Sequence, residues 1–365
     1  MLIIGWNKTL NFKVISEKNI ENAVFISVIV VMRNEEENIL SLLKDIDKQN
    51  YSKNHFELLI IDDFSEDKSK EIVLHFAKNA DFKIILFDNH SDNDFDNKTN
   101  IISPKKRAIT QAISKAQGEI ILCTDADCGI KLTWLTVMAD FYAKNEVVCV
   151  SAPVYFADAS SIFEKIQVVE FASLVGSGAA SLGLNMPNMC NGANFSYKKT
   201  AFLEVSGYAG VEHLISGDDE FLMHKISLKF PKKVAFLRDE RAIVRTKAQK
   251  TLNDFVNQRK RWASKWQYYQ DFAPKILALF VFSTNLMMLF SGIMAFFDNV
   301  FLIPILIKFV LEFVFLSQIL SFFGEKNKVL YIPLTFLVYP FYVIFIGIVS
   351  QQKQLKFFHW KNRKF

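Results

Sequence analysis

The run Glu119-Ile120-Ile121-Leu122-Cys123-Thr124-Asp125-Ala126-Asp127 ends an apolar stretch in two carboxylates one residue apart. In extended chain, residues i and i+2 point to the same side, so Asp125 and Asp127 converge just past a strand's carboxyl end. Open α/β sheets bind their ligands there. Two hard oxygen donors suit Mg2+ or Mn2+, which takes a carboxylate or two and completes its shell with substrate phosphates. A bare Asp-x-Asp is also an ordinary solvated turn, so the pair needs company.

Company is present at other apolar run ends. Arg33-Asn34-Glu35 follows Phe25–Met32, and Asp62-Asp63 follows Phe56–Ile61. Lys105-Lys106-Arg107 opens a helical stretch, and Asp218-Asp219-Glu220 opens another. Gln258, Arg261 and Trp262 fall at i, i+3 and i+4, one face of a helix. Each has a plainer local reading. Asp63 could cap a helix starting near Asp67, Lys105 could sit in a solvated basic turn, and three acids suit a helix N-terminus. Gln258–Trp262 could be an interfacial amphipathic helix with an aromatic anchor, with Arg259, Lys260 and Lys265 as membrane-facing charge.

The elements that must position these groups alternate. Phe25–Met32, Phe56–Ile61, Phe82–Phe87 and Ile120–Cys123 read as buried strands. Between them lie helices: one capped by Asn34 with Glu35, Glu36 and Glu37 in its first turn, one over Lys68–Lys78, and one opened by Ser103 and Pro104. The order β-α-β-α-β-α-β argues for a parallel sheet with helices on both faces. Thr133–Lys144 reads as a helix, Val147–Val154 as a strand, and Asp88–Asn100 as a polar surface loop. Ser161–Leu184 is apolar but interrupted by Gly176, Gly178 and Gly183, which suits a helix at the sheet edge or on a bilayer surface.

Composition changes along the chain. Of 365 residues 51% are hydrophobic and 36 are Phe, concentrated toward the C-terminus. The net charge is +5, and its excess is local: Lys225–Lys265 holds thirteen Lys or Arg against three Asp or Glu. An anionic membrane face explains that segment without nucleic acid. The four cysteines lack zinc spacing and the six histidines form no ligand cluster, so reduced thiols are expected. Met1–Phe12 lacks a charged start followed by an apolar core, so no signal peptide is expected. Pro274–Phe297, Val300–Phe323 and Val329–Ser350 are each long and apolar enough to cross about 30 Å of hydrocarbon. Lys308 and Glu312, at i and i+4, can pair within the second. The basic residues before Lys275 place the N-terminal domain in the cytoplasm, and Lys326 and Lys328 suit the same side. Three spans then put the C-terminus outside, against Lys353, Lys356, Lys361, Arg363 and Lys364, which ask to be inside.

The ordered set of motifs from Ser27 to Trp262, followed by apolar spans, resembles the family 2 glycosyltransferases of GT-A fold. The likeness is greatest to the membrane-embedded branch that includes cellulose, hyaluronan and poly-N-acetylglucosamine synthases. The resemblance implies an α/β GT-A domain over 25–245 after an extension over 1–24. An interfacial region over 246–273, about three transmembrane helices over 274–350 and a basic tail over 351–365 complete the expected order. It assigns Asp63 to the uracil or ribose of the donor and Lys105 to the nucleotide, through a Lys-x-x-Ala-Leu element that here ends in Ile109. Asp127 becomes the metal ligand, and Asp125 a sugar or ribose contact with a share of the metal. Asp219 becomes the general base, the second acid of a Glu-Asp-x-x-Leu element whose first acid here is Asp218. Arg261 would fork onto diphosphate oxygens, Gln258 and Trp262 would face the acceptor, and Asn191, Gly192 and Asn194 would shape its pocket.

The implied protein is an inverting glycosyltransferase at the cell (inner) membrane, multi-pass, with its catalytic domain cytoplasmic. Its donor is a nucleotide sugar, first of all a UDP-sugar, with Mg2+ or Mn2+. Its acceptor is a glycan or lipid-linked sugar, with an export or helper subunit as a further partner. Two other readings stand beside it: transfer to a polyprenyl phosphate, and a non-catalytic membrane scaffold. A nucleic-acid role would leave the acids unused.

Overall fold

The structure, a computed structural model, describes residues 1–11, 24–89, 103–265, 268–269, 272–349, 359–360 and 363–364. The chain opens with α1 (Leu2–Asn7) and β1 (Leu10–Asn11), then β2 (Ile26–Met32), α2 (Ile39–Asp47), β3 (Phe56–Asp62), α3 (Ser69–Ala77) and β4 (Lys83–Asp88). Next come α4 (Pro104–Lys115), β5 (Ile120–Asp125), α5 (Trp134–Lys144), β6 (Cys149–Ser151), β7 (Val154–Ala157) and α6 (Ile162–Gly183). After these follow β8 (Phe195–Lys198), α7 (Lys199–Glu204), α8 (Glu220–Lys229), β9 (Val234–Arg238) and β10 (Val244–Lys247). The helices α9 (Leu252–Ala263), α10 (Phe272–Met294), α11 (Leu302–Phe322) and α12 (Ile332–Val349) precede the short strands β11 (His359–Trp360) and β12 (Arg363–Lys364). The expected loop over Asp88–Asn100 lies, from His90 onward, outside the described residues, as do Lys353, Lys356 and Lys361 of the basic tail.

Two compact units emerge. Ile3–Tyr155 with Ser177–Thr246 form the first, and Phe156–Gly176 with Lys247–Phe365 the second. The first is built on an eight-stranded sheet of order β1-β9-β6-β8-β5-β2-β3-β4. Its centre is made of β-branched and leucine runs that are buried on both faces: every residue of β3, and all of β2 except Val31, is buried. Such two-sided burial is what a parallel strand covered by helices requires. The pairs β2–β3, β2–β5, β3–β4, β6–β9 and β1–β9 are parallel. An all-parallel sheet is corrected by β8, which runs antiparallel to β5 and β6 between them. The expected strand over Val147–Val154 divides into β6 and β7 around Ala152-Pro153, where proline has no N–H to give a ladder. At the amino end, Trp6 is wholly buried with the Arg238 guanidinium 4.0 Å over its ring.

One helix start moves. Asn34 does not cap a helix: it takes φ +50, and α2 begins only at Ile39. The intervening N–H groups are met by the loop after β3. Asn34 N donates to Ser65 Oγ (3.0 Å), Glu35 N to Ser69 Oγ (2.7 Å) and Glu36 N to Asp67 Oδ2 (3.0 Å). Glu66 N returns a bond to Asn34 Oδ1 at 2.8 Å. Long-range side chains therefore meet orphan donors that a local cap was expected to meet.

In the second unit, α10, α11 and α12 pack on one another. Four helices among the described residues are long and apolar enough to cross a membrane, by length and composition: Ile162–Gly183, Pro274–Met294, Asn299–Phe322 and Lys326–Val349. The last three overlap the expected apolar segments, ending one to three residues before them. The first, α6, is one continuous helix despite its glycines, and 61% of its apolar window is buried inside the protein against 11–28% for the others. Leu279, Phe280, Met287 and Ile293 on α10 and Ile303, Leu306, Ile307 and Leu311 on α11 are exposed, the outward apolar faces that hydrocarbon would cover. Lys308 Nζ pairs with Glu312 Oε1 at 2.5 Å.

Candidate active site

Strand register sets the site. Met32 of β2 stands opposite Asp62, and Val31 opposite Asp125, so the acid-bearing ends of β3 and β5 flank β2 at one level of the sheet. Two strand spacings, about 10 Å, separate β3 from β5. Ligand atoms of Asp125, Asp127 and Cys128 all lie within 4.8 Å of one another. Asp127 is exposed and the Asp125 side chain is 41% exposed. Burial, then the charges of Asp125 and Asp127, raise the Cys128 thiol well above its ordinary pKa. Two of the three groups are hard carboxylates, which suit Mg2+ or Mn2+.

The central feature is Lys105, on the first turn of α4. Its Nζ donates to Asp125 Oδ1 at 2.9 Å and stands 3.3 Å from Asp218 Oδ2. Lys105 thus lies within a cluster of acids from two distant segments, and the solvated basic turn is excluded. Burial works against its ammonium, but the charges of Asp125 and Asp218 outweigh it and raise its pKa well above the usual lysine range. Burial likewise works against the Asp218 carboxylate, and the charges of Lys105 and Lys106 outweigh it, holding that group below the ordinary aspartate value. At neutral pH both are ionised.

Asp219 follows. Gly217, at φ +79, turns the chain into the pair. Asp219 Oδ1 accepts from Glu220 N (2.8 Å) and caps α8, while Oδ2 accepts from Gly192 N (2.7 Å). The cap and the tie to the glycine turn coexist in one side chain, which fixes the carboxylate. Asn194 differs from its two neighbours in the turn. It is fully buried, donating to Pro153 O and Ala242 O and accepting from Trp134 Nε1, so its bonds hold the core.

Asp63 is also fully buried, at the end of β3. It does not cap α3, whose N-cap is Lys68; Asp67 Oδ1 accepts from the first helical N–H, Ser69 N, at 3.0 Å. Asp63 Oδ1 accepts from Asn89 Nδ2 at 2.7 Å, and Asn89 Oδ1 accepts from Arg107 Nε at 3.1 Å. Asn89 was overlooked in the sequence although it follows β4 as Asp63 follows β3, so the strand-end criterion would have found it. Lys106 was also overlooked. It is 1% exposed, and its Nζ donates to Val211 O and Leu214 O at 2.7 Å each and to Ser216 O at 3.4 Å. No local signal marks a lysine whose partners lie about a hundred residues away.

In the second unit, α9 carries Gln258, Arg261 and Trp262, all half-buried. The helix start is fixed by Thr251 Oγ1, which accepts from Asp254 N at 3.1 Å. Two residues read as membrane-facing charge are corrected: Arg259 is 2% exposed and Lys265 9% exposed. Arg259 is buried because Glu170 of α6 neutralises it.

A mostly parallel sheet with flanking helices, acids at the strands' carboxyl ends and an apolar helical unit after them define a nucleotide-sugar transferase of the GT-A type. Residues 27–205 match glycosyl transferase family 2, and residues 120–348 match glycosyl transferase family group 2. The chain belongs to the family 2 glycosyltransferases. It is similar to poly-beta-1,6-N-acetyl-D-glucosamine synthase of Staphylococcus epidermidis, 28% identical over 255 residues, 69% of this chain and 57% of the relative. The chain thus spans a little over half the length of that relative. It is 31% identical to glycosyltransferase AglE of Haloferax volcanii over 111 residues, 30% of this chain and 33% of that one. Among solved structures, mannosyltransferase PcManGT from Pyrobaculum calidifontis, in complex with GDP-Man and Mn2+, has the same fold. It shows a TM-score of 0.51, 16% identity and 91% coverage of both chains.

Proposed function

We propose that this protein is a membrane-anchored inverting glycosyltransferase that moves N-acetylglucosamine from its UDP-linked donor to a glycan or lipid-linked acceptor at the cytoplasmic face. The observation that carries this reading is Lys105 set between Asp125 and Asp218, next to an Asp219 held by Gly192 N. The sugar identity is supported by the likeness to a poly-N-acetylglucosamine synthase. Asp125 and Asp127 would hold Mg2+ or Mn2+, which supplies positive charge to the leaving diphosphate. Lys105 adds a second cation for the same charge. Asp63, with Asn89, faces the nucleoside, and Arg261 the diphosphate. Asp219 takes the proton of the acceptor hydroxyl as that oxygen attacks the anomeric carbon and the glycosidic bond to phosphate breaks. Gln258 and Trp262 seat the acceptor sugar. A single displacement from the face opposite the leaving group inverts the anomeric centre.

Detergent-solubilised protein is incubated with a panel of nucleotide sugars, with Mn2+ or with EDTA, and nucleoside diphosphate release is measured. UDP-N-acetylglucosamine is expected to turn over best and EDTA to stop it. Asp127→Ala and Asp219→Asn are each expected to abolish transfer. Full activity in either variant sinks the role given to that residue, and transfer to a polyprenyl phosphate alone sinks the glycan acceptor.

A further inference from the structure

The second unit buries an ion pair among aromatic rings. Arg259 of α9 is 2% exposed and Glu170 of α6 is 3% exposed. Arg259 Nε donates to Glu170 Oε1 at 3.1 Å, and Nη2 donates to Oε2. The Tyr342 hydroxyl of α12 donates to the same Oε1 at 3.2 Å. The remaining edge of the guanidinium is used within α9, where Nη1 donates to Gln258 Oε1. Its faces are used too: the guanidinium carbon lies 4.3 Å from the Trp262 ring centroid and 4.6 Å from that of Phe255.

A planar guanidinium offers donors in its plane and two faces for stacking, and here both kinds of surface are occupied. Lysine could keep the charge but not this geometry. Two of the partners fixed in this way, Gln258 and Trp262, are the side chains that the reading above assigns to the acceptor. We infer that Arg259, oriented by Glu170, is a positioning residue that sets the amide of Gln258 and the ring of Trp262 for the acceptor sugar; this rests on that reading. A pair serving stability alone needs neither the bond to Gln258 nor the ring beneath it. Buried ion pairs are also often replaceable by apolar residues without loss of fold.

The test is the double variant Arg259→Met/Glu170→Met, which leaves no unpaired charge. UDP-N-acetylglucosamine is the donor and a β-1,6-linked N-acetylglucosamine oligosaccharide the acceptor. The acceptor KM is expected to rise about tenfold, while donor KM and donor hydrolysis by water stay within about twofold. An unchanged acceptor KM in the folded variant overturns the inference. A readout without catalysis is the 19F resonance of 5-fluorotryptophan at Trp262, assigned through Trp262→Phe. It should shift in the double variant and in Arg259→Lys, which retains the charge pair if the double variant fails to fold. An unmoved resonance overturns the inference. A wild type that transfers no sugar to any acceptor sinks the proposed function, and the resonance still decides the positioning.

Discussion

Lys105 and Lys106 are neighbours in sequence and hold the same segment in different ways. The first reaches the Asp218 carboxylate; the second, buried, donates to three main-chain carbonyls between Val211 and Ser216. Side chain and backbone before Asp219 are therefore both tied to the start of α4. Lys105→Met removes the shared counter-charge of Asp125 and Asp218 and is expected to lower kcat/KM by about 100-fold, measured as nucleoside diphosphate release. A second titratable group tests stability instead of chemistry. Glu57 is wholly buried and accepts from Ser27 Oγ, Gln117 N and Lys83 Nζ. Burial works against its charge, but these donors outweigh it and hold its pKa below the ordinary 4.5. A depressed folded-state value means stability that is present above pH 4.5 and lost as pH falls through the folded value. Glu57→Gln should therefore be less stable than the wild type at pH 7 by about 1–3 kcal/mol. The gap should narrow below pH 4.5, as followed by denaturant melts across pH. Of the acids in this site, Asp63, Asp125 and Asp127 were legible because they follow apolar runs, and Asp218 and Asp219 because they open a helix. The cations were not, because their meaning lies in partners such as Asp218, 113 positions beyond Lys105 (218 − 105).

Elements were legible where one face or both faces are buried over several turns or a full strand. Pattern alone marks β2, β3, β5, α5 and the three C-terminal helices within a few residues of where they stand. The four-residue β8 escapes it: Phe-Ser-Tyr-Lys is too short to display a period, and its antiparallel direction is set by the neighbours it joins. The glycines of α6 misled in another way. They read as interruptions, yet at Gly176 the missing side chain is a packing device. A Cβ there would lie 2.8 Å from Ile319 Cγ1 and 3.1 Å from Phe315 Cζ of α11. Gly176→Leu is expected to lower the melting temperature in detergent, through overpacking of about 1–3 kcal/mol or more. Gly292 of α10 meets nothing within 4 Å. Gly292→Ala should be neutral or stabilising by up to about 1 kcal/mol, since alanine is the better helix former. Equal effects at the two positions would mean that α6 and α11 do not pack as closely as this.

At the scale of the whole molecule, the chain leaves its first unit at Tyr155 and returns at Ser177, contributing Phe156–Gly176 to the second. Local sequence there marks an apolar helix but not which residues it needs. Those partners come after Lys247. Gln167 exchanges bonds with Gln249, its Nε2 donating to Gln249 O at 2.8 Å and its Oε1 accepting from Gln249 N at 3.0 Å. Glu170 has Arg259 and Tyr342, and Phe171 lies 5.9 Å from Trp262 between ring centroids. A chain ended at residue 246 would keep all the acids of the candidate site and lose every one of these partners. Glu170, now unpaired, would have to reach water or take up a proton, and leaving a buried charge without its counter-ion costs about 3–5 kcal/mol. The apolar surface around Phe156 and Phe171 would be bared at the same time, a liability for aggregation. The shortened chain is therefore expected to be insoluble without detergent and to lack a cooperative melt, although its eight-stranded sheet is intact in sequence. Size-exclusion chromatography and thermal melts of the chain 1–246, with and without detergent, decide this. A monodisperse, cooperatively melting product in plain buffer would mean that Phe156–Gly176 holds its place without the helices that follow it.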